Sequence, residues 1–344
     1  MALEPGLVIN DTYRVERLLG EGGMAEVYKV VHTRLPKHFA LKLMKLDGGE
    51  RSQFLARFRR EAEILGTLNH PHIVEVNDWN KLPDGSPYLV MELLEGEDLD
   101  TFLRRTGQLT QAVTLHICKQ VGEALFAAHL GGIVHRDLKP GNVFLAKNGA
   151  FPNFVKVLDF GVAKLFSPET TPLTANATLM GTPAYMAPEQ ALGRIEQIDP
   201  RTDQFALAAM AYEMLSGQQA FYRDGDSVFT ILERIVQGET PALPPHVSEP
   251  VQKAITRALS KKKEERFPSM KEFLAALGAD QEVILAKGAA PRSLSNQSTF
   301  EKNAGDITQP PRRPSSLSPI HFAVIAAVAL IMAAAGVYFF FAVK

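Results

Sequence analysis

Cysteine is almost missing from these 344 residues: Cys118 is the only one. A single thiol excludes an intrachain disulfide, as expected of a domain kept in a reducing cytoplasm. Its neighbours Leu115, Ile117 and Val121 form an apolar helical run, which marks Cys118 as a small buried side chain. Net charge is nearly absent too, at −1, so nothing in the balance suggests a nucleic-acid partner. The opening Met1-Ala2-Leu3-Glu4-Pro5-Gly6 has neither a basic head nor an apolar core, and no cleavable signal peptide is expected. What is present, 46% apolar and 22% charged residues, suits a large globular domain with additions.

The run Ile133-Val134-His135-Arg136-Asp137-Leu138-Lys139-Pro140-Gly141-Asn142 places a carboxylate, an ammonium and an amide within six positions. In-line phosphoryl transfer needs those groups: a proton acceptor for the attacking hydroxyl, a cation on the moving phosphate and an oxygen ligand for magnesium. Seventeen residues after Asn142 comes Asp159, in Val157-Leu158-Asp159-Phe160-Gly161. Earlier, Leu19-Gly20-Glu21-Gly22-Gly23-Met24-Ala25-Glu26-Val27 joins two β-like runs, followed by the alternating Phe39-Ala40-Leu41-Lys42-Leu43. Order and spacing resemble the glycine-rich loop, lysine strand, catalytic loop and Asp-Phe-Gly segment of protein kinases.

That resemblance implies ATP and Mg2+ as cofactors, with Mn2+ a substitute the site would accept. Leu19, Gly20, Gly22, Gly23, Val27 and Ala40 would enclose the nucleotide, although Ala25 replaces the family's third glycine. Lys42 would hold the α- and β-phosphates. Residues Arg51 to Leu68 carry Phe54, Phe58, Ala62, Leu65 and Leu68 at helical spacing. Glu61 and Glu63 both lie there; the family pattern aligns Glu61 with the ion-pair partner of Lys42 and leaves Glu63 a surface charge. Tyr88-Leu89-Val90-Met91-Glu92 resembles the strand entering the hinge, with Met91 behind the adenine and Glu92 to Leu94 offering backbone hydrogen bonds. Asp137 would position the hydroxyl and take its proton, Lys139 would stabilise the γ-phosphoryl, and Asn142 and Asp159 would hold the metal.

The second half resembles the parts that dock a protein substrate. Asp159 to Glu189 reads as an activation loop ending Gly181-Thr182-Pro183-Ala184-Tyr185-Met186-Ala187-Pro188-Glu189. Asp203, placed at the opening of the apolar run Gln204–Leu215, matches the aspartate that braces the catalytic loop. Arg266 matches the arginine that pairs with Glu189, and Lys261–Lys263 reads as a solvated face. The fold expected is α+β and bilobal: a β-rich N-lobe with one main helix, a helical C-lobe, and one C-terminal transmembrane helix. The Asp137-Leu138-Lys139-Pro140-Gly141-Asn142 wording resembles serine/threonine rather than tyrosine kinases, and the whole resembles bacterial, membrane-bound, eukaryotic-type kinases. The implied activity is that of a non-specific serine/threonine protein kinase acting in membrane signalling on protein substrates and on itself. The alternative is a catalytically weak pseudokinase serving as a membrane-tethered scaffold.

Domain limits follow: an extension over 1–12, a kinase domain over 13–277, a linker over 278–319 and a membrane helix over 320–343. Residues Gly288 to Pro319 contain five prolines and six serines and few large apolar groups, a composition expected to stay flexible. Phe322 to Val343 is 22 residues without a charge. At ~1.5 Å per residue such a helix reaches about 33 Å, against a bilayer core of roughly 30 Å. Arg292, Arg312 and Arg313 precede this run and Lys344 alone follows it, which places the kinase domain on the cytoplasmic side of an inner or plasma membrane. No external sensor domain is expected within this sequence. Arg136 directly before Asp137 suggests activation by loop phosphorylation. Ser167, Thr170, Thr171, Thr174 and Thr178 are the candidates, Thr174 and Thr178 foremost, while Thr182 would bond the catalytic loop.

Overall fold

The computed structural model describes residues 3–23, 25–45, 58–59, 62–63, 66–148, 151–160 and 183–278. Glu61, the loop candidates from Ser167 to Thr182, the linker beyond Gly278 and the 320–343 segment lie outside the described residues. Among those described, no helix is long and apolar enough to cross a membrane.

The amino-terminal lobe is an antiparallel sheet of β1 (Val8–Ile9), β2 (Tyr13–Glu21), β3 (Ala25–His32), β4 (His38–Met44), β5 (Val76–Lys81) and β6 (Pro87–Glu92). Its strand order is β1-β2-β3-β4-β6-β5. Side chains alternate across a strand, so the sheet sorts its residues onto two faces. Tyr13, Val15, Tyr28, Val30, Phe39, Leu41, Leu43, Tyr88 and Val90 form an outer core. The other face carries Ala25, Met44 and Leu89, which join Phe58, Ala62 and Ile73 in the main core. Phe58 and Ala62 lie in helical backbone with their side chains buried, while Glu63 is exposed and pairs with Arg59 at 2.7 Å.

The segment read as an extension is part of this lobe from Leu3 onward. Leu3 and Ile9 are buried in the outer core, and β1 pairs with β2. The Gly6 amide donates to the Val15 carbonyl and the Val15 amide to Leu7. A two-residue strand is too short to show a period, which is why its place was not legible.

The second lobe begins with a small sheet of β7 (Gly96–Asp98), β8 (Val143–Asn148) and β9 (Phe151–Val157). Helices α1 (Leu99–Thr106), α2 (Gln111–Leu130), α3 (Pro188–Ala191), α4 (Pro200–Ser216), α5 (Val228–Gln237), α6 (Glu249–Ala258) and α7 (Met270–Leu277) supply the rest. Helix α4 is buried on every face from Thr202 to Tyr212, as its apolar run Phe205 to Tyr212 should be. It starts earlier than expected: Asp199 caps it by accepting the Arg201 amide, so Asp203 lies inside the first turn rather than opening the helix.

The Lys261–Lys263 run is not the solvated face its composition implied. Only Lys262 is freely exposed. Lys261 donates to the carbonyls of Arg234 and Ile235 at 3.2 and 2.8 Å, closing the end of α5, and its ammonium sits 4.1 Å from the centre of the Phe221 ring. Burial, and then the nearby Arg266, pull its pKa down to about 8. Lys263 reaches the Gln197 carbonyl at 2.6 Å and Asp199 at 3.0 Å. Both use their apolar stems to deliver charge to groups that sequence distance hides.

Candidate active site

The loop from α2 to β8 is held by Asp203. Its Oδ2 accepts the His135 amide at 2.8 Å, its Oδ1 the Arg136 amide at 2.9 Å, and His129 Nε2 lies 2.8 Å from Oδ2. Asp203 is only 1% exposed, so these are charge-assisted bonds in a poorly solvated place. They hold Arg136 at φ +64°, a left-handed conformation that costs a non-glycine residue about 1–2 kcal/mol. The buried His135 ring joins this loop to the Asp159 segment. Its Nδ1 accepts the Asp137 amide at 3.3 Å, which assigns the ring proton to Nε2, and Nε2 donates to the Leu158 carbonyl at 2.8 Å. The same ring packs 4.7 Å from that of Phe160.

Asp137, Lys139 and Asn142 meet in one hydrogen-bonded cluster. Asp137 Oδ2 accepts from Lys139 Nζ at 2.9 Å and from Asn142 Nδ2 at 3.2 Å. Asn142 Nδ2 also donates to the Asp137 carbonyl at 2.8 Å. The amide nitrogen is therefore committed inward, and the Asn142 Oδ1 oxygen accepts from no described residue. The β8–β9 register pairs Val143 with Val157, and the Leu158 amide donates to the Asn142 carbonyl at 2.9 Å. This hairpin brings Asp159 beside Asn142 across the intervening sequence. Asp159, at φ +55°, receives Lys42 Nζ at 2.5 Å from the other lobe. Burial alone would raise its pKa, but the Lys42 ammonium more than offsets this and holds it below the usual carboxylate value. Hard oxygen donors on these two neighbouring stretches of backbone fit magnesium, which takes one or two protein oxygens plus phosphate. Among the described residues no group of three or more His, Cys, Asp or Glu forms an all-protein metal cage.

The nucleotide-facing residues share one sheet face. Register aligns Val27 with Lys42 and Lys42 with Leu89, and in the next row Ala40 with Met91. Leu19 lies in a bulge between Leu18 and Gly20 and is 38% exposed. The Gly22 amide closes the hairpin onto the Ala25 carbonyl at 2.8 Å, with Gly23 exposed at the tip. A Cβ at Gly20 would meet nothing within 4 Å, and one at Gly22 only the Ala25 carbonyl at 3.6 Å. The fold itself would tolerate side chains there, so their absence leaves room for something laid against the hairpin. Lys42 has Asp159 as its described partner; the pairing expected with Glu61 lies outside the described residues.

At the hinge, the Glu92 amide is committed to the Glu75 carbonyl at 3.0 Å. Of the backbone groups expected to meet a base, that amide is therefore withdrawn. The Glu92 carboxylate accepts Lys156 Nζ at 2.6 Å and the Glu75 amide at 2.8 Å, tying the hinge to β9. Sequence reasoning missed Lys156, since a lysine in a strand reads as a solvated edge charge. It also missed Gln190, which donates to the Arg136 carbonyl at 2.7 Å; a glutamine on the first turn of a helix carries no signal of its own. The expected Glu189–Arg266 partners do meet, through two bonds of 2.9 Å with both side chains buried.

The protein kinase domain family matches residues 13–276. The chain is 37% identical over 283 residues to serine/threonine-protein kinase PknA of Mycobacterium tuberculosis, covering 81% of this chain and 63% of that protein. It is 36% identical over 323 residues to serine/threonine-protein kinase pkn3 of Myxococcus xanthus, covering 91% of this chain and 57% of the relative. It thus spans less than two thirds of the length of either. The solved kinase domain of Mycobacterium tuberculosis PknI matches with a TM-score of 0.63 at 31% identity, over 80% of this chain and 98% of that one. The matched stretch runs from β2 into α7 and contains every described residue of the site, and the chain belongs to the protein kinase domain family.

Proposed function

We propose that this chain transfers the γ-phosphoryl of ATP to serine and threonine hydroxyls of proteins while anchored in a membrane. The observation that carries the reading is the set of bonds at Asp137. Lys139 and Asn142 load its Oδ2, which leaves Oδ1 to accept the proton of an incoming hydroxyl. Lys139, 2.9 Å from Asp137, stands beside the path of the moving phosphoryl, and Lys42 orients the α- and β-phosphates. Asn142 Oδ1 and the Asp159 carboxylate would hold magnesium, or manganese in its place. Bound metal would neutralise charge on the phosphate oxygens. With every catalytic position filled by a competent residue type, a pure scaffold finds no support in the site.

Anchoring rests on the uncharged run 322–343, and the arginines before it favour a cytoplasmic kinase domain in a single-pass arrangement. Tethering concentrates kinase domains and favours phosphorylation in trans of the loop threonines, Thr174 and Thr178 first. The test is phosphoamino-acid analysis of casein-like protein incubated with the purified chain and magnesium-ATP. Phosphoserine and phosphothreonine are expected, and phosphotyrosine as the main product would overturn the substrate class.

A further inference from the structure

We infer that Gln190 is a positioning residue for Asp137, through which the docked end of the activation segment sets the catalytic loop; this rests on the proposed kinase reading. The peptide joining Arg136 to Asp137 is gripped on both edges. On one, the Asp137 amide donates to the His135 carbonyl at 2.8 Å and to its Nδ1 at 3.3 Å. On the other, the Arg136 carbonyl accepts Gln190 Nε2 at 2.7 Å. The plane of that peptide aims the Asp137 side chain. Arg136 lies at φ +64°, a conformation that persists only where its surroundings over-determine it. Asp203 holds its amide and Gln190 its carbonyl.

The amide of Gln190 has one workable orientation. Its Oε1 accepts the Ala187 amide at 3.2 Å, the side-chain half of a capping box, so only Nε2 can face Arg136. Gln190 in turn cannot drift. The preceding Glu189 is bound by Arg266 through two bonds of 2.9 Å and by the Thr202 hydroxyl at 2.8 Å. A rigid line therefore runs from Arg266 through Glu189 and Gln190 to the Arg136 carbonyl, and ends beside the proton acceptor. Nothing in it touches the sheet face that holds Lys42. Loss of the Gln190 bond should accordingly disturb the transfer step and spare nucleotide binding.

Gln190→Met keeps the volume and removes the donor; Gln190→Glu keeps the shape and sets a carboxylate oxygen against the Arg136 carbonyl. Small displacements of a catalytic group are costly in rate. In the full-length chain with casein-like acceptor, kcat should fall about tenfold in Gln190→Met, with KM for magnesium-ATP within about twofold of wild type. The Gln190→Glu enzyme should lose more at pH 8 and recover part of the deficit toward pH 6, as its carboxyl gains the proton that lets it donate. A merely structural glutamine would move kcat and KM together and give no pH-dependent recovery. Wild-type kcat in Gln190→Met, or parallel changes in kcat and KM, would overturn the inference. Such a result with active wild type and inactive Asp137→Asn would leave the kinase reading intact, whereas inactive wild type would remove both.

Discussion

Arg266 and Glu189 show what a single buried charge pair contributes, because each is almost wholly enclosed, at 0% and 4% side-chain exposure. Burial opposes ionisation of Glu189, but the Arg266 bonds prevail and hold its pKa below the ordinary glutamate value. A carboxyl depressed in the folded state stabilises it above the unfolded pKa of about 4.3, and that stability is lost as pH falls through the folded value. Arg266→Ala strips the partner and leaves the carboxylate stranded, at a cost of about 3–5 kcal/mol near neutral pH. Its Glu189, now shifted upward by burial alone, gains a proton more easily, so the gap from wild type should narrow between pH 7 and pH 5. Urea unfolding at the two pH values measures this, and a gap that widens on acidification would refute the assignment. The pair itself was readable from two motifs far apart in sequence. Lys261 and Lys263 were not, because the carbonyls and carboxylate they reach come from α5 and from the 197–199 stretch, both far off in sequence.

Among elements, the antiparallel β7–β8 pair follows the hinge directly in the chain. Gly96 at φ +147° pairs with Ala146, and a Cβ there would stand 2.1 Å from the Leu145 carbonyl oxygen. Neither the angle nor the contact can be relieved by a rotamer change. Gly96→Ala should therefore pull β7 from β8 and lower the thermal midpoint by several degrees, about 2–4 °C for each kcal/mol lost in a domain of this size. Differential scanning calorimetry against Gly107→Ala, where a Cβ meets nothing within 4 Å though φ is also positive, separates contact from conformation. Equal midpoints for the two variants would contradict the steric account. Strand β4 was legible because Phe39, Leu41 and Leu43 alternate with Ala40 and Lys42, and the period survives into the two faces of the sheet. The start of α4 was less so: Asp203 looks like a cap in sequence, yet Asp199 takes that place and frees Asp203 to hold the catalytic loop.

For the whole chain, the family match ends at residue 276 and α7 closes at Gly278, φ +72°, so the catalytic part has its own last helix and stop. A chain shortened to end near Ala290 should stay soluble and keep the full-length activity toward a casein-like acceptor. Full-length protein should sediment with membranes and resist alkaline carbonate, and its recovery in the supernatant would defeat the anchor. Motif order revealed the two lobes, but not that His135 would bind the Leu158 carbonyl or that Gln190 would hold Arg136, since those bonds depend on how loops close in space. Asp137, loaded on one oxygen by Lys139 and Asn142, is the group proposed to accept the proton of the attacking hydroxyl. Asp137→Asn keeps the side-chain volume and removes that base, and positioning with electrostatics supplies nearly all the acceleration of such reactions. The decisive measurement is phosphate incorporation into a protein acceptor by wild type and Asp137→Asn at matched, saturating magnesium-ATP. Asp137→Asn should lose about 10²-fold or more with ATP binding retained; equal rates would remove Asp137 as the base.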